Sequence, residues 1–295
     1  MPKFDCLVVG EANVDLMIDS VVPLEFGKEK LATRMDLVLG GSSSITAYNL
    51  ASMGAKVDFC GIVGTDLFGR FVRDFLRSGN VGTRRLIQNS GEKTGVTIWH
   101  SLKHRRAALT YPGTIPLLRA SQVANLHQAR HLHVGSYFLL TSFQAGAAEL
   151  FRKAKTLGLT TSLDCNFDPS EQWDGQIREV LPYVDFFLPN DLEAKQLTGE
   201  ATVVQAARSL AQFGNTVVVK QGARGAMICR GKKAIRIPAI KVRVVDTTGA
   251  GDSFNAGFLS AHLRGKDVLE STQTGIQAAA RSVQHIGGTT AFSRS

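Results

Sequence analysis

Along the chain, short runs of apolar residues alternate with segments of helical period. "FDCLVVG" near the start is an apolar run of strand length. In "ITAYNLASMGA", Ile45, Tyr48, Leu50 and Met53 recur at near-helical spacing and Gly54 supplies a stop. "KVDFCGIVG" returns to a strand, and "FGRFVRDFLRSGN" puts Phe71, Val72, Phe75 and Leu76 on one helical face. "ARHLHVGSY", "LTTSLDCN", "VDFFLPN" and "NTVVVKQG" are further short strands, each followed by a helix-length segment. Continuous apolar strands separated by helices predict an α/β fold, with a mostly parallel sheet covered by helices on both faces.

Two stretches break the alternation. Residues near Asp15 to Leu39 contain the extended "LATRMDLVL", and Thr94 to Tyr111, "TGVTIWHSLKHRRAALTY", read as a hairpin. Thr97, Trp99 and Ser101 face one way there, Val96, Ile98 and His100 the other, with Lys103-His104-Arg105 as the tip. These segments predict a small sheet that projects from the main body. Its strands come from about 11–40 and 92–112 of one domain spanning 1–295.

Composition narrows the class. A chain of 295 residues, 44% hydrophobic and 20% charged, is an ordinary globular protein. No apolar run approaches the ~20 residues of a membrane helix. The start reads as a strand rather than a leader, so a cytoplasmic protein without a membrane partner is expected. The net charge of +9 is dispersed, in short groups such as Arg84-Arg85 and Lys232-Lys233. No basic helix or interleaved aromatic stripe accompanies it, so anionic small molecules rather than nucleic acid are the expected partners. Cys6, Cys60, Cys165 and Cys229 are scattered without zinc spacing and are expected as buried free thiols.

Open parallel sheets bind ligands beyond the carboxyl ends of their strands. In "VVDTTGAGDSFNAGF", Gly249, Ala250 and Gly251 stand before a helix whose apolar face carries Phe254 and Phe258. Small residues there let an anion reach the backbone N–H groups at the positive end of the helix. Asp252 would repel a phosphate but would serve as a base for an attacking hydroxyl. The alternative is a plain glycine turn with Asp252 steadying the helix start.

"PNDLE" gives Asn190 and Glu193 capping-box spacing, the reading preferred for the segment taken alone; the functional alternative is that Glu193, with Asn190 beside it, holds Mg²⁺ near a nucleotide's phosphates. In "GEANVDLM", Asn13 and Asp15 share one face of a strand end, where they grip vicinal hydroxyls or simply end the strand. "LGGSSSITA" supplies Gly40 and Gly41, read as a tight turn before a serine N-cap or as backbone that closes on a ligand. "SLDCNFD" sets Asp164, Asn166 and Asp168 at alternate positions, without the order of a phosphatase nucleophile. No GxxxxGK[ST] occurs, and no GxGxxG follows the first strand, which argues against a P-loop enzyme and a Rossmann dehydrogenase.

The order of these segments resembles the ribokinase-like (PfkB) carbohydrate kinases. "LGGSSSITAYNLASMGAKVDFCGIVGTDLFG" followed by "DTTGAGDSFNAGF" resembles the two signature regions, "PNDLEAKQLTG" the Asn-x-x-Glu motif, and "VVVKQGARGA" the nucleotide-side strand and turn. The resemblance runs from Val8 to about Thr290. It implies a ribokinase-like αβα sandwich of about nine strands with a β-sheet lid. It also implies transfer of the γ-phosphoryl group of ATP to a hydroxyl, with Mg²⁺ as cofactor. By match, Asp252 is the base and Gly249, Ala250 and Gly251 form the anion hole. Asn13, Asp15, Gly40 and Gly41 bind sugar under Thr97 and Trp99 of the lid. Asn190 and Glu193 serve Mg²⁺ and phosphate, and Lys220 and Gly222 belong to the nucleotide side. Many members are activated by K⁺, and Asp246, Thr248, Ser282, His285 and Gly287 fall near that loop, several through carbonyl oxygens only.

Three positions depart from the family's pattern. Ile45 stands where an asparagine commonly meets the sugar, Asp168 where arginine is frequent, and Ala291 where the K⁺ loop often has serine. The first leaves the sugar contact open, the second argues against a keto-deoxy acid, and the third leaves K⁺ open. A small-molecule sugar is the expected partner, with pairing of lids in a homodimer left open. A nucleoside kinase on the same fold and a non-catalytic sugar or nucleotide sensor are the alternatives.

Overall fold

The computed structural model describes residues 2–102 and 105–293; Lys103 and His104 of the expected hairpin tip lie outside them. In chain order the strands are β1 (Phe4–Val9), β2 (Asn13–Ser20), β3 (Arg34–Gly40), β4 (Val57–Gly64), β5 (Gly82–Asn89), β6 (Gly95–Leu102), β7 (Arg105–Tyr111), β8 (Ala129–Val134), β9 (Thr160–Leu163), β10 (Phe186–Phe187), β11 (Thr216–Lys220), β12 (Ala226–Arg230) and β13 (Lys233–Ile237). The helices are α1 (Ser42–Ser52), α2 (Leu67–Ser78), α3 (Thr141–Thr156), α4 (Ile177–Val180), α5 (Asp191–Thr198), α6 (Val203–Leu210), α7 (Ala250–Leu263) and α8 (Val268–Ser282).

Nine strands form the main sheet in the order β13-β12-β11-β10-β9-β8-β1-β4-β5. From β11 across to β5 every pairing is parallel; β12 runs antiparallel to both its neighbours. β4 is buried along its whole length, as its largely apolar pattern requires; its one acid, Asp58, pairs with Arg85. Apolar clusters lie on both faces, one around Phe143, Phe151 and Tyr137, the other around Phe59, Leu76 and Phe258. From β1 the chain builds one flank through β4 and β5, then crosses to β8 and builds the other. The β1/β8 boundary is therefore the switch point, where a crevice opens beyond the strand ends.

The sequence pattern placed the interior strands and missed β5, β12 and β13. β5 and β13 are edge strands with exposed positions, which lack the continuous apolar run of a buried strand. α1 also differs from an amphipathic helix: it is buried from Ser42 to Ala51. Several of its polar groups find partners inside the protein, while Ser43 Oγ and Asn49 Oδ1 have none among the described residues. Asn49 Nδ2, for example, donates to Ser253 Oγ at 3.0 Å and to the Gly288 carbonyl at 2.9 Å. All four cysteines are free and buried.

A second sheet, β3-β2-β6-β7, stands beside the strand ends. Its strands come from the two stretches that broke the alternation. Register places Leu37, Leu16, Ile98 and Leu109 in one row across it. Asp15 and Thr97 are paired in the adjacent row on the other face. Among the described residues no helix is long and apolar enough to cross a membrane.

Candidate active site

A cleft of about 1200 Å³ lies between the lid and the strand ends of the main sheet. Asn13, Asp15, Gly41, Thr97, Trp99, Asn190, Glu193, Lys220, Gly222, Thr248 and the whole run Gly249 to Asp252 line it. These residues are far apart in sequence and come together in one cavity.

One part of the cleft is built on two helix N-termini. Gly249 caps α7 in the left-handed region at φ 69°, and a Cβ there would stand 2.4 Å from Gly288 Cα. Only glycine allows this approach. The start of α7, Ala250 to Asp252, thereby lines the cleft. No side chain caps α7, so Asp252 does not serve the helix start in that way. Its Oδ1 instead accepts from the Ser42 hydroxyl at 2.5 Å. Burial pushes the Asp252 carboxyl up to about 6 against that hydrogen bond. α1 is capped by Gly41, at φ 86°, with no side-chain hydrogen bond. Ser42 is thus free to serve the cleft, and the expected serine N-cap is not formed.

Glu11 follows β1 at the switch point. Its Oε1 accepts from the Ser42 N–H at 2.7 Å and from the Ser136 hydroxyl, just beyond β8, at 2.6 Å. Burial pushes this carboxyl up to about 7. Sequence reasoning passed over Glu11, Ser42 and Ser136. The first two stand inside the quoted segments "GEANVDLM" and "LGGSSSITA", but only the fold makes them neighbours of Asp252.

On the lid side, Asp15 is buried in β2 and desolvation raises its carboxyl to about 7. Gly40 is small because Asp15 lies against it: a Cβ there would be 2.2 Å from Asp15 Oδ1. Asn13 Nδ2 donates to Thr97 Oγ1 at 3.1 Å, and that hydroxyl meets Thr110 Oγ1 at 3.1 Å. Asn13 Oδ1 and Trp99 Nε1 are buried without a hydrogen-bond partner among the described residues. An acceptor, a donor and a carboxylate at one wall suit a ligand with several hydroxyl groups.

Between these ends, Lys220 Nζ pairs with Asp164 Oδ2 at 2.7 Å, and Asn255 Nδ2 donates to the same oxygen. Burial is the largest influence on Asp164 and would raise it, but the Lys220 charge and the hydrogen bonds from Lys220 and Asn255 together outweigh it and hold the carboxyl below the usual range. A Cβ on Gly251 would lie 3.5 Å from Lys220 Nζ, so the ammonium stands beside the anion hole. The capping-box reading of "PNDLE" is realised. Asn190 Oδ1 accepts from the Glu193 N–H, Glu193 Oε2 accepts from the Asn190 N–H at 2.8 Å, and Glu193 also lines the cleft. Burial, with Asp164's charge adding to it, raises Glu193 to about 7. A buried carboxylate without a cation of its own is a natural partner for one. Asp164, Glu193 and Cys165 offer ligand atoms within 4.8 Å of one another. Glu193 and the Asp164 oxygen not paired with Lys220 are the hard oxygens that a Mg²⁺ ion would take, with Asn190 beside them; the Cys165 thiol, pushed far up by burial, does not add to that set.

The remaining positions lie outside the cleft. Asp246 and Gly287 are joined by the Gly287 N–H to Oδ2 at 2.8 Å. Ser282 is buried at the end of α8, and His285 is exposed with Nδ1 against the Arg281 carbonyl. Asp168 folds its own loop, accepting from Ser170 N–H and Oγ and from Trp173 N–H. Arg106, which sequence reasoning did not single out, enters the cleft from the lid.

Comparison with known proteins agrees with this geometry. The family model described as pfkB family carbohydrate kinase matches residues 3–294. An uncharacterized sugar kinase of Archaeoglobus fulgidus is 32% identical over 253 residues, which cover 83% of this chain and 98% of that protein. A ribokinase of Haemophilus influenzae is 28% identical, covering 95% of this chain and 92% of its own. The crystal structure of a Thermotoga maritima ribokinase, 25% identical, superposes with a TM-score of 0.84 over 98% of this chain and 95% of that one. A match across nearly the whole length, with the expected cleft in place, means that this chain belongs to the pfkB family of carbohydrate kinases.

Proposed function

We propose that the enzyme transfers the γ-phosphoryl group of ATP to a hydroxyl, a hydroxymethyl oxygen by the family's pattern, of a small carbohydrate. The observation that carries this reading is the alcohol already seated on the base: Ser42 Oγ donates to Asp252 Oδ1 at 2.5 Å, beside the N-terminus of α7. A substrate hydroxyl that takes up such a bond gives its proton to Asp252 as its oxygen attacks. The α7 N–H groups and Lys220 hold the charge that develops on the phosphoryl oxygens.

The sugar's other hydroxyls meet Asp15, Asn13 and the Trp99 indole. The lid above them excludes water, which would otherwise compete as acceptor. The nucleotide base fits the opposite end, where Ala223, Ile240, Ile276 and Val283 form an apolar wall. Mg²⁺ held near Glu193, Asn190 and Asp164 would neutralise charge on the nucleotide's phosphates. A second copy of the chain is the proposed partner, through the lid's outer face, where Met35, Leu109 and Tyr111 are exposed.

The test is a screen with radiolabelled ATP of neutral sugars, sugar acids and nucleosides. Labelled sugar phosphate is the expected product. Turnover of nucleosides alone would move the chain to a nucleoside kinase. Thermal stabilisation by a sugar without turnover of any acceptor would make it a sensor.

A further inference from the structure

Arg106 lies in β7, but its side chain leaves the lid. Nη1 reaches Asp246 Oδ1 in the main body at 2.6 Å. Among the described residues no other ion pair joins the lid sheet to the main body. The guanidinium carbon is 4.6 Å from the centre of the Trp99 ring, and Nη2 is 3.8 Å from Met17 Sδ. The group is therefore stacked as well as paired, which fixes its orientation.

Asp246 is held from its own side too. Oδ1 accepts from the Thr248 N–H at 2.9 Å and the Thr248 hydroxyl at 2.8 Å, and Oδ2 from the Gly287 N–H at 2.8 Å. Asp246 thereby shapes the run into Gly249, and Gly287 precedes the Gly288 backbone against which Gly249 packs. One carboxylate ties together the approach to the anion hole, the segment behind it, and the lid.

The family resemblance assigns K⁺ to this loop. The Asp246 carboxylate does not fit a free cation: Oδ1 already accepts three hydrogen bonds, and the charge beside it is a guanidinium that would repel K⁺. We propose that Arg106 is a positioning residue that acts as a tethered cation on Asp246, replacing a diffusible monovalent ion and coupling lid closure to the geometry of the anion hole. The inference rests on the kinase reading for its effect on turnover, but its structural half stands without it.

The experiment compares wild type, Arg106→Lys and Arg106→Ala as full chains. Hydrogen–deuterium exchange is measured without ligand, and, once an acceptor is known, turnover is measured in KCl, NaCl and choline chloride at constant ionic strength. Arg106→Ala should exchange at least about tenfold faster both in β6–β7 and in residues 246–251, because a buried pair that spans the two has been broken. Arg106→Lys should fall between and covers the case in which the alanine variant fails to fold. Wild-type turnover should be the same in all three salts, and Arg106→Ala should be stimulated selectively by K⁺. Faster exchange confined to β7, or wild-type turnover raised tenfold by K⁺ over Na⁺ and choline, would overturn the proposal. Lack of turnover on any acceptor would defeat the kinase reading while the exchange result still decides the latch.

Discussion

Asp252 and Asp15 are both buried carboxylates in one cleft, yet the two sheets deliver them differently. Asp252 comes from the main sheet's end. Its place depends on a helix start, on Gly249 packed against Gly288, and on Ser42 from a second helix start. Asp15 comes from the lid, where alternation along β2 alone points it inward and Leu16 outward. The first arrangement is packed backbone against backbone and suits the proposed charge-bearing step. The second is one sheet thick, carries apolar residues on its outer face, and is tied to the main body by a single ion pair among the described residues. On the proposed reading, chemistry sits with the helix starts of the main body and selection of the acceptor with the lid.

Substitutions on the two sides should therefore fail differently. The largest effect is expected for Gly249→Ala. The new Cβ collides with backbone and displaces the α7 N-terminus, so kcat should fall by about 10²–10³ with the acceptor's KM little changed. Gly40→Ala, on the lid side, pushes Asp15 aside and should instead raise the acceptor's KM, which steady-state kinetics would separate from an effect on kcat.

Glu11→Gln should trade activity for stability. Burial raises Glu11 from 4.5 to about 7, so the folded state binds more protons than the unfolded chain between those values, and stability falls as pH rises through them. Removing the charge should add up to roughly 3 kcal/mol above pH 7 and nothing below pH 4.5, which urea unfolding at two pH values would register. Ser42→Ala should shift the acidic limb of the kcat/KM profile, which reports the free enzyme. With Asp252 raised to about 6 that limb is expected near 6, and loss of the Ser42 hydrogen bond should move its midpoint upward. Leu109→Lys on the outer lid face should leave kcat within about twofold, as surface changes usually do, but weaken self-association in sedimentation.

Much of this was legible in the sequence where the signal is local. The small run Gly249 to Gly251 is contiguous with Asp252, and Thr97 and Trp99 declare a shared face by their spacing. The lid strands were legible as interruptions of an α/β pattern. What escaped depends on tertiary placement. Glu11 is one more acid after a strand until β8 brings Ser136 beside it. Arg106 belongs to an ordinary basic cluster until the fold sets it against Asp246, 140 residues away. Asp164 was weighed as a misplaced nucleophile because its partners, Lys220 and Asn255, lie on other elements. Edge strands β5 and β13 lack the apolar continuity that marked the interior ones.

The central claim is that Asp252 takes the acceptor's proton. Its most direct test is Asp252→Asn, with nucleotide affinity and turnover measured on the same preparation. The amide keeps the shape and loses the base, so kcat should drop by about 10²–10⁴ while ATP binds as in wild type. Near-normal turnover with intact ATP binding would contradict the account.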